Sequence, residues 1–249
     1  NGAIGTVPLI GLTGVIIADG IIIMNPANAL KVWTNVSVAI GGAEGTQGDG
    51  GKVVVDNSGD ILTIGDQAFG IYTQSIGGGG GRGGATSGTA FSILALGAKG
   101  ASGGNADTVT ITHSGDILTT GSSAMGIFAQ SIGGGGGHGG DISQNLFWPG
   151  VNIGIGVDLA LGGGTGGNGA DVSVTSNGLI ATTGAGATGI FAQSVGGGGG
   201  VAGSAGYSVG TFFSGTNGDS GDAGTVTVEH DGNIYTTGAG AAGIFAQSG

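Results

Sequence analysis

Apolar and polar positions alternate along this chain in a phrase that keeps returning. Val53-Val54-Val55-Asp56-Asn57-Ser58-Gly59-Asp60-Ile61-Leu62-Thr63 comes back as Val109-Thr110-Ile111-Thr112-His113-Ser114-Gly115-Asp116-Ile117-Leu118-Thr119, then as Val172-Ser173-Val174-Thr175-Ser176-Asn177-Gly178-Leu179-Ile180-Ala181-Thr182, then as Val226-Thr227-Val228-Glu229-His230-Asp231-Gly232-Asn233-Ile234-Tyr235-Thr236. A second phrase follows each: Gly70-Ile71-Tyr72-Thr73-Gln74-Ser75-Ile76, Gly126-Ile127-Phe128-Ala129-Gln130-Ser131-Ile132, Gly189-Ile190-Phe191-Ala192-Gln193-Ser194-Val195 and Gly243-Ile244-Phe245-Ala246-Gln247-Ser248. A period of two belongs to strands. The predicted faces are residues 108–112, 116–120 and 126–132, with corners at Ser114-Gly115 and Gly121-Ser122.

Counted between Gly70, Gly126, Gly189 and Gly243, the copies lie 56, 63 and 54 residues apart. The drift places the variation in an insertable segment, residues 82–104, 138–167 and 201–221, after five-glycine runs at 77–81, 133–137 and 196–200. Within it, Val151, Ile153, Ile155, Val157, Leu159 and Leu161 alternate with Asn152, Gly154, Gly156, Asp158 and Ala160, and residues 90–96 and 207–213 are weaker versions. Each repeat therefore holds about three strand-bearing segments.

Such units bury their apolar faces against one another, so the expected fold is all-β: a repetitive parallel β-helix or β-solenoid with glycine-rich loops or polyglycine segments. Its repeats are about 48–102, 103–165, 166–219 and 220–249, and residues 1–47 are divergent rungs or an N-terminal cap. With roughly 18 to 25 residues per coil, the chain would make on the order of 12 coils and a rod about 60 Å long. Residues 7–23 are the most apolar stretch, but Gly11, Gly14, Asp19 and Gly20 interrupt it, which fits neither a signal peptide nor a spanning helix. A hairpin of residues 14–18 and 21–24 around Asp19-Gly20 is the expectation there. The chain opens at Asn1 and stops at Gly249, where another glycine run is due, and reads as a piece of something longer.

Two features leave alternatives open. Gln74, Gln130, Gln193 and Gln247 either point inward as an amide ladder or point outward, with Ile127, Ala129 and Ser131 lining the core. The glycine runs are either flexible surface loops or extended polyproline-II-like strands lying side by side with bare backbones close enough to hydrogen-bond. No Gly-Lys-Ser/Thr follows any run, which argues against a phosphate cradle.

Glycine supplies 66 of 249 residues, against about 7% in ordinary proteins. Gly-X-Y periodicity and Pro enrichment are absent, which excludes collagen. There is no cysteine, hence no disulfide framework. A net charge of −11, with only Lys31, Lys52, Arg82 and Lys99 as cations, excludes nucleic acid as a partner.

Candidate chemistry is thin, and the chain is read as not an enzyme, with no catalytic, cofactor-binding or metal residue assigned. Asp60 and Asp116 are equivalent, but Leu179 and Asn233 take their place in the later copies. His113, His138 and His230 are scattered, with His113 and His230 offset by one place and set at exposed corners. Gly-x-Ser-x-Gly is absent. Gly166-Gly167-Asn168-Gly169-Ala170-Asp171 resembles the opening of a calcium nonapeptide, but Ser173 stands at its apolar position, so calcium would be incidental. Thr108, Thr110, Thr112, Thr225 and Thr227 are a potential hydroxyl array, which requires stacking in register, and Asp56, Ser176 and Glu229 break its row. Trp33 and Phe147-Trp148 are potential sugar platforms.

The phrase Gly-Ile-Phe-Ala-Gln-Ser-Ile/Val with five glycines after it, and Val-x-Val-x-x-x-Gly-x-Ile-x-Thr-x-Gly before it, resembles the glycine-rich repeats in passenger regions of large bacterial autotransporter and adhesin-like surface proteins. The resemblance covers about residues 48–249. It implies a β-helical passenger, secretion to the bacterial cell surface, and adhesive, matrix or fibre roles, with the outer-membrane anchor outside this segment. The expected function is a structural or adhesive extracellular protein forming a rod or fibre. Its expected partners are copies of itself and host or matrix glycans. The alternative is a glycan-binding or glycan-cleaving β-helix.

Overall fold

A computed structural model of the chain describes residues 15–17, 21–23, 32–33, 37–42, 45, 47–89, 92–145, 157–205 and 211–249. Every regular element among them is a strand. The two phrases together make three strands per repeat: Val53–Asn57, Ile61–Ile64 and Ile71–Ile76 in the first, and Val109–Ser114, Ile117–Thr120 and Ile127–Ile132 in the second. Val172–Asn177, Ile180–Thr183 and Ile190–Val195 follow in the third, and Val226–Asp231, Ile234–Thr236 and Ile244–Ser248 in the fourth. Equivalent strands pair parallel and in register, forming three four-stranded sheets, here called walls one, two and three. The fold is an all-β parallel β-helix.

The inward residues of the three walls converge on one core. Val109 and Ile111 from wall one, Ile117 from wall two, and Ile127 and Ala129 from wall three are fully buried, and each sits above its equivalent in the neighbouring rung. Corners follow from local chemistry. Gly121 takes a φ of +140°, and a Cβ there would stand 2.1 Å from the Gly65 carbonyl oxygen, so only glycine fits. Thr119 Oγ1 then donates to the Ala124 carbonyl at 2.5 Å and clips the corner shut, as Thr63 does to Ala68 and Thr182 to Ala187.

The size of one coil differs from the expectation. Val109 pairs with Val53 and Val172, 56 and 63 positions away, so one whole repeat makes one coil and four coils are stacked. Four strands span only about 15 Å along the axis, and the roughly 12 coils and 60 Å rod do not apply. The missing length runs sideways. Residues 77–85 leave wall three, the chain turns through Thr86–Thr89 and Ser92–Leu96, and residues 97–105 return at the same level. The later repeats do likewise through Ile142–Asn145, Val157–Leu159 and Thr211–Phe213. Ser37–Ile40 joins the last two and Ser92–Leu96 in a further parallel sheet. Of the alternating run expected from Val151, Val157–Leu159 is a strand and residues 151–156 lie outside the described residues. Nearer the N-terminus, Val15–Ile17 and Ile21–Ile23 form the expected antiparallel hairpin, with Val32–Trp33 added to it.

The glycine runs are ordered. Outgoing and returning segments form two facing layers with a period of three residues, as in polyproline II. In the second repeat the amides of Gly134, Gly137 and Gly140 donate across the layers to the carbonyls of Gly104, Ala101 and Ala98 at 2.9, 2.7 and 2.7 Å. Those of Gly133, Gly136 and Gly139 donate within their layer to Val195, Gly198 and Val201 at 2.8 Å each. Both sets are packed against backbone: a Cβ at Gly133 would meet the Gly167 oxygen at 1.9 Å, and one at Gly134 the Gly78 oxygen at 2.0 Å. The third set, Gly135, His138 and Asp141, faces outward. The chain accordingly reads Gly-Gly-x: 133–134 then Gly135, 136–137 then His138, 139–140 then Asp141.

This arrangement separates neighbouring glycines sharply. Gly134→Ala is expected to cost at least about 2 kcal/mol from overpacking, lowering the melting midpoint by several degrees, whereas Gly135→Ala stays within about 0.5 kcal/mol of the parent chain. Thermal unfolding of the two variants followed by circular dichroism checks the contrast, and equal midpoints would contradict the packing.

Candidate functional site

Wall three and the outgoing glycine layer share one continuous outer face, built as columns along the stacking axis. Tyr72, Phe128, Phe191 and Phe245 stack with ring centroids 4.9, 4.9 and 4.8 Å apart and interplanar angles of 7, 6 and 7°. Phe69 tilts against Tyr72 and Phe128 at 5.1 and 5.7 Å. In-register parallel pairing at about 4.8 Å brings identical rings to stacking distance.

The next column is the glutamine ladder. Gln74 Nε2 donates to Gln130 Oε1 at 2.7 Å, Gln130 to Gln193 at 2.6 Å, and Gln193 to Gln247 at 2.7 Å. The two sequence-based alternatives therefore combine: Ile127, Ala129 and Ser131 line the core, and the ladder forms all the same, on the outside. The inward serine has its own work. Ser131 Oγ donates to the Asp107 carbonyl at 3.1 Å and accepts from the Ala170 amide at 2.9 Å, tying wall three to the returning segments on either side. Beyond the glutamines lie Ile76, Ile132 and Val195, then Gly79, Gly135 and Gly198, then Arg82, His138 and Val201.

At the far edge of this face Asp141 links two rungs. Its Oδ1 accepts from the amide and the hydroxyl of Ser204, each at 2.9 Å, and its Oδ2 pairs with Arg82. Hydrogen bonds from the Ser204 amide and then its hydroxyl hold the carboxyl below its ordinary range against the opposing effect of burial, and Arg82 adds a lesser lowering.

The other candidates have structural employment. Asp60 Oδ1 accepts the Asp116 amide, and Asp116 Oδ1 the Leu179 amide, both at 2.9 Å, so these carboxylates cap the next rung. His113 and His230 do not sit at exposed corners and are not offset. Both pair with Ser176 in one inward column; His113 is 1% exposed, its Nδ1 lies 3.0 Å from Asn57 Nδ2 and its Nε2 3.1 Å from the Gly115 oxygen. The inward period of the strand, which also places Val109 and Ile111, puts them there. His138 faces outward in the glycine layer.

In the calcium-like segment, Asn168 Oδ1 accepts the Asp222 amide at 2.9 Å and Asp171 Oδ1 the Thr225 amide at 2.7 Å, so these oxygens also bridge rungs. Among the described residues no three His, Cys, Asp or Glu side chains come together as metal ligands. The threonines do stack on wall one, Thr110 with Ser173 and Thr227, and Thr112 with Thr175, but Val54, Asp56 and Glu229 occupy the ends of these rows. Trp33 belongs to a strand of the N-terminal hairpin unit, while Phe147 and Trp148 lie outside the described residues.

No protein-family model matches the chain, and no curated protein matches it. Among solved structures, a springtail antifreeze protein from Granisotoma rainieri, a bundle of nine polyproline type II helices, is similar at 20% identity over 76% of this chain and 94% of that chain, with a TM-score of 0.13. An overlap of that quality carries no argument. The molecule is classed by its own architecture, as a parallel β-solenoid repeat protein with a laddered outer face.

Two predictions follow from these ladders. Gln130→Ala removes two amide bonds and is expected to cost about 1–2 kcal/mol, seen as a lower urea midpoint at unchanged slope; an unchanged midpoint would mean the ladder contributes nothing. Because the Asp141 carboxyl is depressed in the folded chain, its contribution is full above the ordinary aspartate range and is lost as pH falls through the depressed value, below about pH 4. The stability advantage of the parent chain over Asp141→Asn should therefore shrink on acidification, and an advantage independent of pH would contradict this.

Proposed function

We propose that this chain is a structural or adhesive element of an extracellular bacterial surface protein, built to extend by stacking rungs into a rod or fibre and to associate with copies of itself. The observation that carries the reading is the open, in-register stack. Each wall ends on strands whose outer edges have no partner among the described residues, and the core column of Ile71, Ile127 and Ile190 ends on Ile244, which is 48% exposed. Further rungs of the same kind, from a longer chain or from another copy, complete both the hydrogen bonding and the burial. The repeat phrases that resemble autotransporter and adhesin-like passengers support the same reading, as does a surface whose polar groups are engaged in holding rungs together. Glycan binding has less support: the stacked rings of wall three turn their faces to one another and only their edges outward, which removes the platform a sugar would use.

Electron microscopy and X-ray fibre diffraction of concentrated material test the proposal. Fibres many times longer than the about 15 Å of one stack, with a meridional reflection at about 4.8 Å, are expected. Separate particles of a single stack at every concentration would contradict it.

A further inference from the structure

We propose that two copies of this chain pair side by side through the outer face of wall three and its glycine column, the ridge of Ile76, Ile132 and Val195 on each lying in the trough of Gly79, Gly135 and Gly198 on the other. The pairing rests on the self-association reading above and gives it a partner and a face.

The first observation is an exposed and unpartnered sheet face. In the end rung Tyr72 and Ile76 are 53% and 52% exposed, in the inner rungs Phe128, Ile132, Phe191 and Val195 are half-buried, and Val201 at the far side of the trough is 49% exposed. The second is a set of glycines without an internal reason. A Cβ at Gly79 or Gly198 would meet nothing within 4 Å, and one at Gly135 only an ordinary contact at 3.8 Å, whereas Gly133, Gly134, Gly136 and Gly137 around it are all jammed against backbone. The next outward positions do carry side chains, Arg82, His138 and Val201. A bare column in all three copies, between two columns of side chains, is a trough that a ridge from outside can enter.

Symmetry makes the partner a second copy. Ridge and trough are adjacent and parallel to the stacking axis, so a two-fold axis along that direction and between them lays each ridge over the other copy's trough, the isologous arrangement of a closed dimer. Both stacks then advance in the same direction at the same spacing, and the fit recurs at every rung.

Charge selects this face. The chain carries 15 acidic against 4 basic residues, and two copies repel wherever carboxylates meet. Asp56 and Glu229 stand on wall one, and Asp49, Asp219 and Asp222 on the returning layer. Wall two also exposes Leu62, Ile64, Leu118 and Tyr235, but Asp60 and Asp66 stand at its two corners. From Tyr72 to Asp141, the columns of the proposed face hold one carboxylate, and Arg82 neutralises it. Its extent is sufficient. From the aromatic column to the Arg82 column is about 32 Å, and the stack, four rungs in wall three and three in the outgoing glycine layer, is about 15 Å deep. Pairing therefore buries on the order of 500 Å² per copy, about 1,000 Å² in total, the threshold for a specific interface, and grows with each added rung.

The test changes only the trough. Gly79→Leu, Gly135→Leu and Gly198→Leu together should leave circular dichroism and melting unchanged, since these positions have room, and should abolish pairing. In sedimentation the parent chain is expected at twice its 23.2 kDa mass, or in fibres of double width, and the triple variant at single mass or single width. Because the chain has no cysteine, a second variant reports directly. Ile132→Cys combined with Gly135→Cys should oxidise to a covalent dimer, while either substitution alone should not. A parent chain of single mass and single width, a triple variant that still pairs, or a double-cysteine variant that gives no dimer would overturn the proposal. Fibre length reads axial stacking separately, so short double particles would sink the fibre reading and leave the pairing standing.

Discussion

Backbone meets backbone without side chains between them across the glycine layers, and the rest of the structure is arranged around that contact. A parallel β-helix coil ordinarily closes on itself within three short strands. Here each coil makes a long excursion out of the prism and back, and such an excursion would be a pair of loose loops if its own hydrogen bonds were not met. The period of three satisfies them. One set of amides bonds within a layer, a second bonds across layers, and a third position is free to carry a side chain. A methyl group on either buried set would collide with a carbonyl about 2 Å away, so the order of these segments, and with it the level return of each coil to wall one, depends on glycine. The entropy that glycine loses on ordering is offset by these hydrogen bonds, and alanine is accommodated at Ala98 and Ala101 of the returning layer, whose amides donate to the Gly84 and Gly81 carbonyls.

In-register stacking has a second consequence, which is that every residue meets its own equivalent. Columns of aliphatic, aromatic, amide and hydroxyl side chains gain from this, while like charges directly opposite are unfavourable. The acidic columns are accordingly interrupted. Asp60 and Asp116 give way to Leu179 and Asn233, and Asp49 and Asp222 are separated by Asn105 and Asn168, with the oxygens of Asp49, Asp60, Asn105, Asp116 and Asn168 each capping an amide of the next rung. Charged residues make up only 8% of the chain, as a stack of this kind requires. The same rule leaves one face nearly free of charge, and that face carries the ridge and trough.

The walls were legible because Val-x-Val and Gly-Ile-Phe-Ala-Gln-Ser carry the period of two in every copy, and the corner glycines stand where φ must be positive. The coil size was not, because strand spacing alone does not say whether a chain returns after one corner or after a long excursion. A signal for the excursion was present in Gly-Gly-x: Arg82, His138 and Val201 recur three residues after an unhindered glycine, a period of three that a count of glycines does not reveal. The parity of Gln130 could not be settled by pattern, since Ile127 and Ile132 lie on opposite faces of one strand. The inward column of His113, Ser176 and His230, of which His113 and Ser176 are buried, shows polar residues at inward positions, where the Asn57–His113 and Ser176–His230 hydrogen bonds link rungs in place of apolar packing. The ridge and trough could not be seen at all in the sequence, because they become adjacent only when strand and glycine segment share one face.

The most direct test of the account is hydrogen exchange at the glycine amides. If the layers are hydrogen-bonded as described, Gly134, Gly137, Gly197 and Gly200 exchange as slowly as Ile111 and Ile127 in the core strands, while Gly135 and Gly198, whose position faces outward, serve as internal comparisons. Exchange of Gly134 and Gly137 at the rate of an unstructured chain, with the core strands still protected, would show the runs to be loose loops and would contradict the account.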